Sequence, residues 1–357
     1  MINAFITALF AVFLAYLSRR EKNHSYFLLL AFVLLTSFLS LGYYWGNDVP
    51  TYEEWFESIA NSGVPWWDFS SYNTFYLHDY GFALFYLICK PLGFWGMRAV
   101  AFIIENAIIY RFIVKHVDRQ YYWLAVFVYV FNPFFWALGS SMMRQWMAMC
   151  IVLYGADFLL EKKYIKYVVC VLIAASIHVS SMICLLLVPL SFLQQKPTKN
   201  RIVLFISVIV LYWLLSPYFI DYVELFLKAE EMYLDYTDYH GSFGISNIGQ
   251  LIIYTWLLFL SVKSKQKDGL FNWIVMLNAL ILPLLSFGEL SSRLGLYFSL
   301  FTIGVYPLFM ANAHIQKTQK VIIISLVCSY LIYSFFVFFT SATYNKYFGT
   351  YNTLFGF

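Results

Sequence analysis

Charged side chains are scarce in this chain: they make up 12% of its 357 residues, whereas 62% of the residues are hydrophobic. So little charge leaves no segment that could cover the surface of a water-soluble domain. Apolar runs of about 20 residues recur along the whole length, and each is long enough to span a bilayer. The sequence therefore predicts one all-α, polytopic integral membrane domain over residues 1–357.

The sequence also lacks the short motifs that identify many enzymes. It contains no Walker motif, Rossmann glycine pattern, zinc-ligand spacing or nucleophile elbow, and no acidic cluster that would indicate a metal site. Its five cysteines lie in apolar segments without ligand-like spacing, which indicates small core residues instead of disulfides or a zinc site. We therefore expect no cofactor and no bound metal ion.

The apolar runs differ in regularity. Regular spans are predicted at 2–18, 25–44, 122–138, 142–160, 202–219, 248–263, 270–287, 291–311 and 321–340. Lys90-Pro91-Leu92-Gly93 interrupts the segment 80–113, which favours a short or re-entrant first half. Only about 12 apolar residues precede His178 in the segment 165–194, so we expect a bend near this residue. The total of about 11–13 transmembrane segments is compatible with a GT-C-like architecture.

Basic residues follow the first apolar run, at Arg19, Arg20 and Lys22, instead of preceding it. This order is unlike a cleaved signal peptide and predicts a first helix whose N-terminus lies outside. The positive-inside rule places these residues in the cytoplasm, together with further basic clusters at 115–119, 162–166, 196–201, 263–267 and 317–320. Because the basic residues occupy short loops, the net charge of +4 does not indicate a nucleic-acid partner.

The two longest polar loops, 45–79 and 220–247, then lie outside the membrane. The first contains no Lys or Arg and is rich in aromatic residues. An aromatic belt at the headgroups is the interpretation that composition favours, and a carbohydrate-binding surface is the alternative. The second loop is acidic, and its aromatic residues recur about one or two turns apart, which indicates an amphipathic helix on the outer surface or a lid.

Arg144-Gln145 stands at the head of the apolar run Trp146–Leu160. An ionisable side chain in such a position usually faces a protein interior or a water-filled cavity. The guanidinium group offers a rigid fork of donors that suits phosphate oxygens. Snorkelling to the outer headgroups is the alternative, but we favour a functional role for Arg144.

Other polar residues in apolar surroundings are candidate site residues, and each can be interpreted in a structural or a functional way. His178 is either a structural hydrogen-bonding residue or a proton acceptor in a cavity. Arg293 either pairs with Glu289 at i, i+4 spacing or is a second phosphate-binding arginine. For Asp48 and Asp79, composition alone favours solvated loop carboxylates.

Glu105 is the most deeply embedded acidic residue and lies two turns from Arg98 on one helix face. A structural ion pair between the two is favoured here, and proton relay is the alternative.

Several of these residues stand in motifs that resemble those of EpsG-like, Wzy-type polysaccharide polymerases. The motifs occur in that family's order at Asn47-Asp48 with Tyr52, Asp79–Phe82, Met143–Ala148, Ile177–Ser181 and Ser292–Phe298. They cover most of the chain, and Asp79 departs from the glutamate that is usual in the family.

The resemblance implies a bacterial inner-membrane enzyme that assembles O-antigen, capsular or other surface polysaccharide at the periplasmic face. Such an enzyme transfers the growing glycan from undecaprenyl diphosphate to the non-reducing end of an incoming lipid-linked repeat unit. The implied partners are the undecaprenyl-diphosphate-linked oligosaccharide and the lipid bilayer, with a chain-length regulator and a flippase as further candidates and no nucleic acid.

The chemistry of such a transfer predicts a role for each candidate residue. Fixed cations stabilise the charge that develops on the leaving diphosphate, and we assign Arg144 and Arg293 to it, with Gln145 as an orienting group. The acceptor hydroxyl needs a general base, for which the candidates are Asp48, Asp79 and His178. Sugar rings would be held by the residues of the first outer loop, Asn47, Tyr52 and Trp55.

Other function classes are compatible with the same residues. An O-antigen-ligase-like transferase would use the same arginine and histidine chemistry with a different acceptor. A lipid-linked oligosaccharide transporter or flippase would explain polar residues at membrane depth without catalysis. An O-acetyltransferase would need a route for an acyl donor from the cytoplasm. The sequence leaves open the sugar, the linkage and whether configuration is retained or inverted.

Overall fold

A computed structural model of the chain shows a helical protein. It describes residues 1–20, 25–63, 65, 67–68, 79–192, 269–281, 289–312 and 315–356, together with isolated positions between 200 and 257. Within these residues the strands are β1 (Gly42–Tyr43) and β2 (Asn352–Thr353), which pair antiparallel. The predicted all-α class is confirmed, whereas the loop 220–247 lies outside the described residues.

The chain divides into two compact units, Met1–Leu185 with Cys328–Phe357, and Leu186–Val327. The first unit contains the helices α1 (Ile2–Leu17), α2 (Tyr26–Leu41), α3 (Val49–Asn61), α4 (Tyr80–Cys89), α5 (Gly93–His116), α6 (Tyr122–Phe131), α7 (Trp136–Gly139), α8 (Met143–Leu160) and α9 (Tyr164–Ile177). The second contains α10 (Leu187–Ser191), α11 (Gly269–Ile281), α12 (Glu289–Ser299) and α13 (Thr302–Asn312). Helix α14 (Lys317–Thr340) begins in the second unit and ends in the first, where α15 (Ala342–Phe348) follows it.

Several of the described helices meet the requirements for crossing a bilayer. The helical segments Tyr80–His116, Arg293–Asn312 and Lys317–Thr340 are long and apolar enough, and Ile2–Leu17, Tyr26–Leu41, Tyr164–Ile177 and Val179–Ser191 are shorter apolar helices. The chain is therefore a polytopic membrane protein. The predicted total of 11–13 segments and the GT-C-like architecture stay predictions.

Both irregular segments break where the sequence predicts a break. Between α4 and α5, Lys90–Leu92 forms a 3-10 turn, and Gly93 continues the chain with φ +67°, a conformation that glycine adopts without strain. Helix α9 ends at Ile177, His178 is extended, and a 3-10 helix follows over Val179–Leu186. The bend predicted at His178 is confirmed.

The basic segments of the first unit lie together at one end, here named the basic end. The 3-10 turn Ser18–Arg20 contacts the 3-10 turn Arg119–Tyr121. At the ends of α5 and α8, the Lys115 ammonium lies 3.3 Å from a Glu161 carboxylate oxygen, and Lys163 binds the other oxygen at 2.7 Å. The predicted topology requires this grouping, because it places all these segments on one side of the membrane.

Asp157 on α8 connects the basic end to the interior. Its buried carboxylate lies 2.5 Å from Arg111, 3.1 Å from Lys115 and 2.6 Å from His116, which all belong to α5. A buried carboxylate is stable only when cations and hydrogen-bond donors surround it. This cluster therefore fixes α8 against α5.

Trp45, in the first predicted outer loop, lies inside the opposite end of the first unit. It is 1% exposed, its indole nitrogen donates to the Phe348 carbonyl at 3.2 Å, and its ring contacts Phe38 edge-on. Tyr351 stacks on the same Phe38 ring at 4.0 Å. Trp45 is thus a core residue, and both interpretations of the loop aromatics, a headgroup belt and a sugar surface, are wrong for it.

The predicted Arg98–Glu105 ion pair is also wrong. Two turns of helix separate these residues by about 10 Å along the axis, and the Arg98 Nη1 group donates instead to the Gly42 carbonyl at 2.9 Å. Gly42 ends α2, and a helix C-terminus presents carbonyls that lack a partner within the helix and attract cations. Arg98 therefore caps α2, while both Glu105 carboxylate oxygens are buried without a hydrogen-bond partner among the described residues.

We predict that Asp157→Asn destabilises the first unit by about 2 kcal/mol, because the amide removes the buried counter-charge of Arg111 and Lys115 and the anionic hydrogen-bond partner of His116. The cost is smaller than for a fully buried ion pair, since Arg111 and Lys115 are partly exposed. Thermal unfolding of the purified protein in detergent measures the change. Glu161→Gln, at an exposed position on the same helix end, is the control and should move the midpoint little; equal shifts in both variants would contradict the prediction.

Candidate functional site

The residues Asp79, Arg144 and His178 meet at the end of the first unit that lies opposite the basic end, here named the site end. Asp79 precedes α4, Arg144 lies in the first turn of α8, and His178 follows the last residue of α9. The Arg144 Nη1 group donates to Asp79 Oδ2 at 2.8 Å, and His178 Nδ1 lies 3.5 Å from the same oxygen. Three separate motifs of the sequence thus converge on one carboxylate.

Burial is graded across these three side chains. The Asp79 side chain is 7% exposed, whereas those of Arg144 and His178 are 20% and 19% exposed. The carboxylate is therefore an interior anchor, and the guanidinium and imidazole groups reach the surface. Asp79 is therefore not a solvated loop carboxylate. Arg144 is bound to a protein carboxylate, a contact that snorkelling to the headgroups would not require.

Aromatic rings flank the guanidinium group of Arg144. Its central carbon lies 4.9 Å from the ring centroid of Trp55 and 5.9 Å from that of Tyr52, both on α3. Burial raises the pKa of the Tyr52 phenol, against the opposing effect of the nearby Arg144 charge, so this phenol stays neutral. Arg144 Nε has no hydrogen-bond partner among the described residues. This atom is buried, and the guanidinium group is held by Asp79 and by a hydrogen bond with Tyr52.

A second hydrogen-bonded network holds Asn47 and Asp48. The Ser141 hydroxyl donates to Asn47 Oδ1 at 2.6 Å and accepts from the Asp48 backbone amide at 3.0 Å. The Asn47 side-chain amide donates to Asp48 Oδ1 at 2.7 Å. Gly46 makes this approach possible, because its φ of +136° is unfavourable for other residues and a Cβ there would lie 3.1 Å from Ser141 Cβ.

Ser141 is a positioning residue that the sequence interpretation missed, and Gly81 is one that stands in the motif Asp79–Phe82 without an assigned role. Ser141 lies three residues before Arg144, so it joins the Asn47–Asp48 network to the Arg144 centre. A Cβ on Gly81 would lie 2.3 Å from Ser176 Oγ and 2.9 Å from the Ser176 backbone, so only glycine lets α4 approach α9 this closely. The polar pair Ser140-Ser141 in an apolar run was a usable signal, whereas the role of Gly81 depends on helix packing.

The contacts described above do not include Gln145 and Arg293, the other residues predicted for the diphosphate site. Gln145 is 3% exposed and faces the interior of the first unit beside Arg144. Arg293 lies on α12 in the second unit with a half-buried side chain, and its convergence with Arg144 stays a prediction. Residues 64, 66 and 69–78 of the first outer loop lie outside the described residues.

The arrangement can bind an anion and accept a proton. Arg144 supplies a fixed positive charge, and its side chain is 20% exposed. If Asp79 accepts the Nδ1 proton of His178, the Nε2 atom is left as a proton acceptor. Among the described residues, no group of three or more His, Cys, Asp and Glu side chains is placed to hold a metal ion.

Comparisons with known proteins agree with the sequence motifs. The family model described as "EpsG family" matches residues 2–353. Neither the curated proteins nor the solved structures gave a match. Because the family model covers nearly the whole chain, the chain belongs to the EpsG family.

Proposed function

We propose that this protein is a membrane glycosyltransferase that polymerises lipid-linked oligosaccharide repeat units. The observation that carries the proposal is the convergence of Arg144, Asp79 and His178 at the site end of the first unit. EpsG family membership supports a role like that of a polysaccharide polymerase. The transfer moves the growing glycan from undecaprenyl diphosphate to the non-reducing end of an incoming unit.

Arg144 binds the diphosphate of the donor in this proposal. Breaking the bond between sugar and diphosphate develops negative charge on the leaving group, and a preorganised cation in a water-poor site stabilises it. The bond to Asp79 and the Trp55 ring fix the guanidinium group before substrate arrives, so little reorganisation is needed. Gln145 and Arg293 belong to the same proposed set, Gln145 as an orienting group and Arg293 as a second cation.

His178 is the general base that this geometry favours. The Asp79 carboxylate is buried and its Oδ2 atom already accepts a hydrogen bond from Arg144, so it is poorly placed to contact an acceptor hydroxyl. His178 is more exposed and has Asp79 beside Nδ1, so Nε2 is free to accept the proton of the acceptor hydroxyl. Asp48, oriented by Asn47 and Ser141, is the second candidate for this role.

Sugar rings contact the aromatic residues of α3. Trp55 is half-buried beside Arg144 and can offer part of its surface to the C–H face of a pyranose. Tyr52 is buried and packs edge-on against Phe82, so it supports Trp55 and Arg144 more than it contacts a ligand directly. The polar side chain of Asn47 completes the proposed sugar contacts.

The site end faces the periplasm of a bacterial inner membrane in this proposal. The basic end carries Arg19, Lys115 and Lys163, and basic segments favour the cytoplasmic side. The site end lies at the other extremity of the same helices. Lipid-linked repeat units that are presented outside the cytoplasm would reach it there.

We predict that Arg144→Ala lowers polymerisation at least about 100-fold, because it removes the proposed cation from the leaving diphosphate. Arg144→Lys is also impaired, since a point charge replaces a bidentate fork. The assay reconstitutes the full-length protein in liposomes with synthetic polyprenyl-diphosphate-linked repeat units and separates the products by length. Arg119→Ala, at the basic end, is the matched control.

Each result of that assay has a defined meaning. Longer products from the wild type but not from Arg144→Ala support the polymerase. Movement of the substrate across the bilayer without longer products would favour a transporter, and transfer to a different acceptor would favour a ligase. Normal product ladders from a folded Arg144→Ala protein would refute the role of Arg144.

A second prediction separates the charge of Asp79 from its shape. Asp79→Asn should lower the turnover rate at least about tenfold, because the neutral amide neither pairs with Arg144 nor holds the histidine tautomer. Asp79→Glu keeps the charge and should retain more activity than Asp79→Asn. Initial rates across pH with saturating substrate measure both variants, and equal rates for Asn and Glu would contradict the role of the carboxylate charge.

A further inference from the structure

A cavity of about 670 Å³ lies at the site end of the first unit, apart from the residues around Arg144. It is formed by the start of α1, the end of α14, α15 and the segment 349–352. Small-molecule sites in proteins typically have volumes of about 300–1,000 Å³. The cavity therefore has the size of a ligand site.

Five of the ten lining residues carry the neutral polar side chains of Asn or Thr. They are exposed amides and hydroxyls from separate parts of the chain: Asn3, Thr340, Asn345, Thr350 and Asn352. A side-chain amide offers two donors and an acceptor, and a hydroxyl offers one donor and two lone pairs. A ligand with alternating hydroxyl donors and acceptors matches such a lining.

The rest of the wall is rigid and partly apolar. The Tyr351 ring stacks on Phe38, and its hydroxyl donates to the Phe38 carbonyl at 2.6 Å. Phe339, which also lines the cavity, is buried. The segment after α15 is held by the pairing of β2 with β1. The cavity thus exists before any ligand binds, which lowers the entropic cost of binding.

Charge argues against an anionic ligand. The lining contains no Arg, Lys, Asp or Glu side chain. The Met1 amino group donates to the Gly349 carbonyl at 2.6 Å, and burial lowers its pKa below the ordinary value. A phosphate or diphosphate would therefore meet no arginine or lysine side chain here, unlike at the Arg144 centre.

The cavity is connected to the Asp48 segment through backbone. Asn352 pairs with Tyr43 in the two-stranded sheet, and the chain then runs from Tyr43 through Trp45 to Asp48. Trp45 binds the Phe348 carbonyl at the end of α15. The short segment from Tyr43 to Asp48 therefore joins the strand pair beside the cavity to the Asn47–Asp48 network.

We propose that this cavity is a glycan-binding subsite that holds neutral sugar rings of the polymer at a distance from the Arg144 centre. The inference rests on the proposed polymerase function and adds a second place of contact for its product. Retaining the glycan between transfers lets the next unit add before the chain dissociates, so occupancy of the subsite favours long products.

The test measures binding separately from turnover. The probe is the surface polysaccharide of the producing cell, cut by mild acid into short lipid-free oligosaccharides and titrated into the purified full-length protein in detergent. Asn345→Ala combined with Asn352→Ala should weaken binding about tenfold, which corresponds to the loss of one or two hydrogen bonds. Thr350→Val, which replaces a hydroxyl with a methyl at similar volume, should weaken binding in the same direction.

The controls separate this proposal from the polymerase proposal. Asn200→Ala removes an exposed amide outside the cavity and should bind like the wild type. Arg119→Ala, at the basic end, should also bind the lipid-free probe like the wild type. In the liposome assay, the cavity variants should shift the product ladder to shorter chains.

Two outcomes would overturn the subsite. One is a wild-type protein that does not bind the oligosaccharides, and the other is equal binding by the wild type and both cavity variants. Binding that depends on Asn345 and Asn352 in a protein that never elongates a lipid-linked unit would support the subsite and refute the polymerase. Retained folding of each variant is checked by its thermal unfolding midpoint.

Discussion

The pairing of the buried Asp79 carboxylate with Arg144 is the constraint on which the site end depends. A carboxylate that is 7% exposed needs a cation and hydrogen bonds to remain charged, so the start of α4 must stay next to the first turn of α8. His178 is drawn into the same contact because α9 ends beside Asp79. Removing either charge would leave the other without its counter-charge in the interior. Such a single substitution costs more stability than replacing both residues with apolar ones of similar shape.

The sequence predicts the apolar helices and the breaks between them, because both depend on residues that are close together in the chain. The interruption at Lys90–Gly93 and the bend at His178 follow from a proline, a glycine and the length of an apolar run. The roles of Ser141 and Gly81 depend on how closely helices approach in three dimensions, which spacing along the chain does not reveal. The Arg98–Glu105 pairing is wrong for a similar reason, since the carbonyl at the end of α2 is a nearer partner.

The two ends of the first unit differ in the charged and polar side chains that they carry. At the basic end, Asp157 holds α8 against α5 by cations, and the surrounding loops carry Lys and Arg. At the site end, one carboxylate holds Arg144, and the cavity near Tyr351 is lined by neutral amides and hydroxyls. The same helix α8 thus carries an ion-pair anchor at each extremity, and both anchors position it along its length.

The shortness of α9 has a consequence for how deep the site lies. Its 14 residues rise about 21 Å from the basic end, whereas the hydrocarbon core of a bilayer is about 30 Å thick. His178 and its neighbours would therefore stop about 9 Å below the far edge of that core. A substrate whose polar head rests among the lipid headgroups has to sink to meet them, and water must follow it into a recess of the membrane.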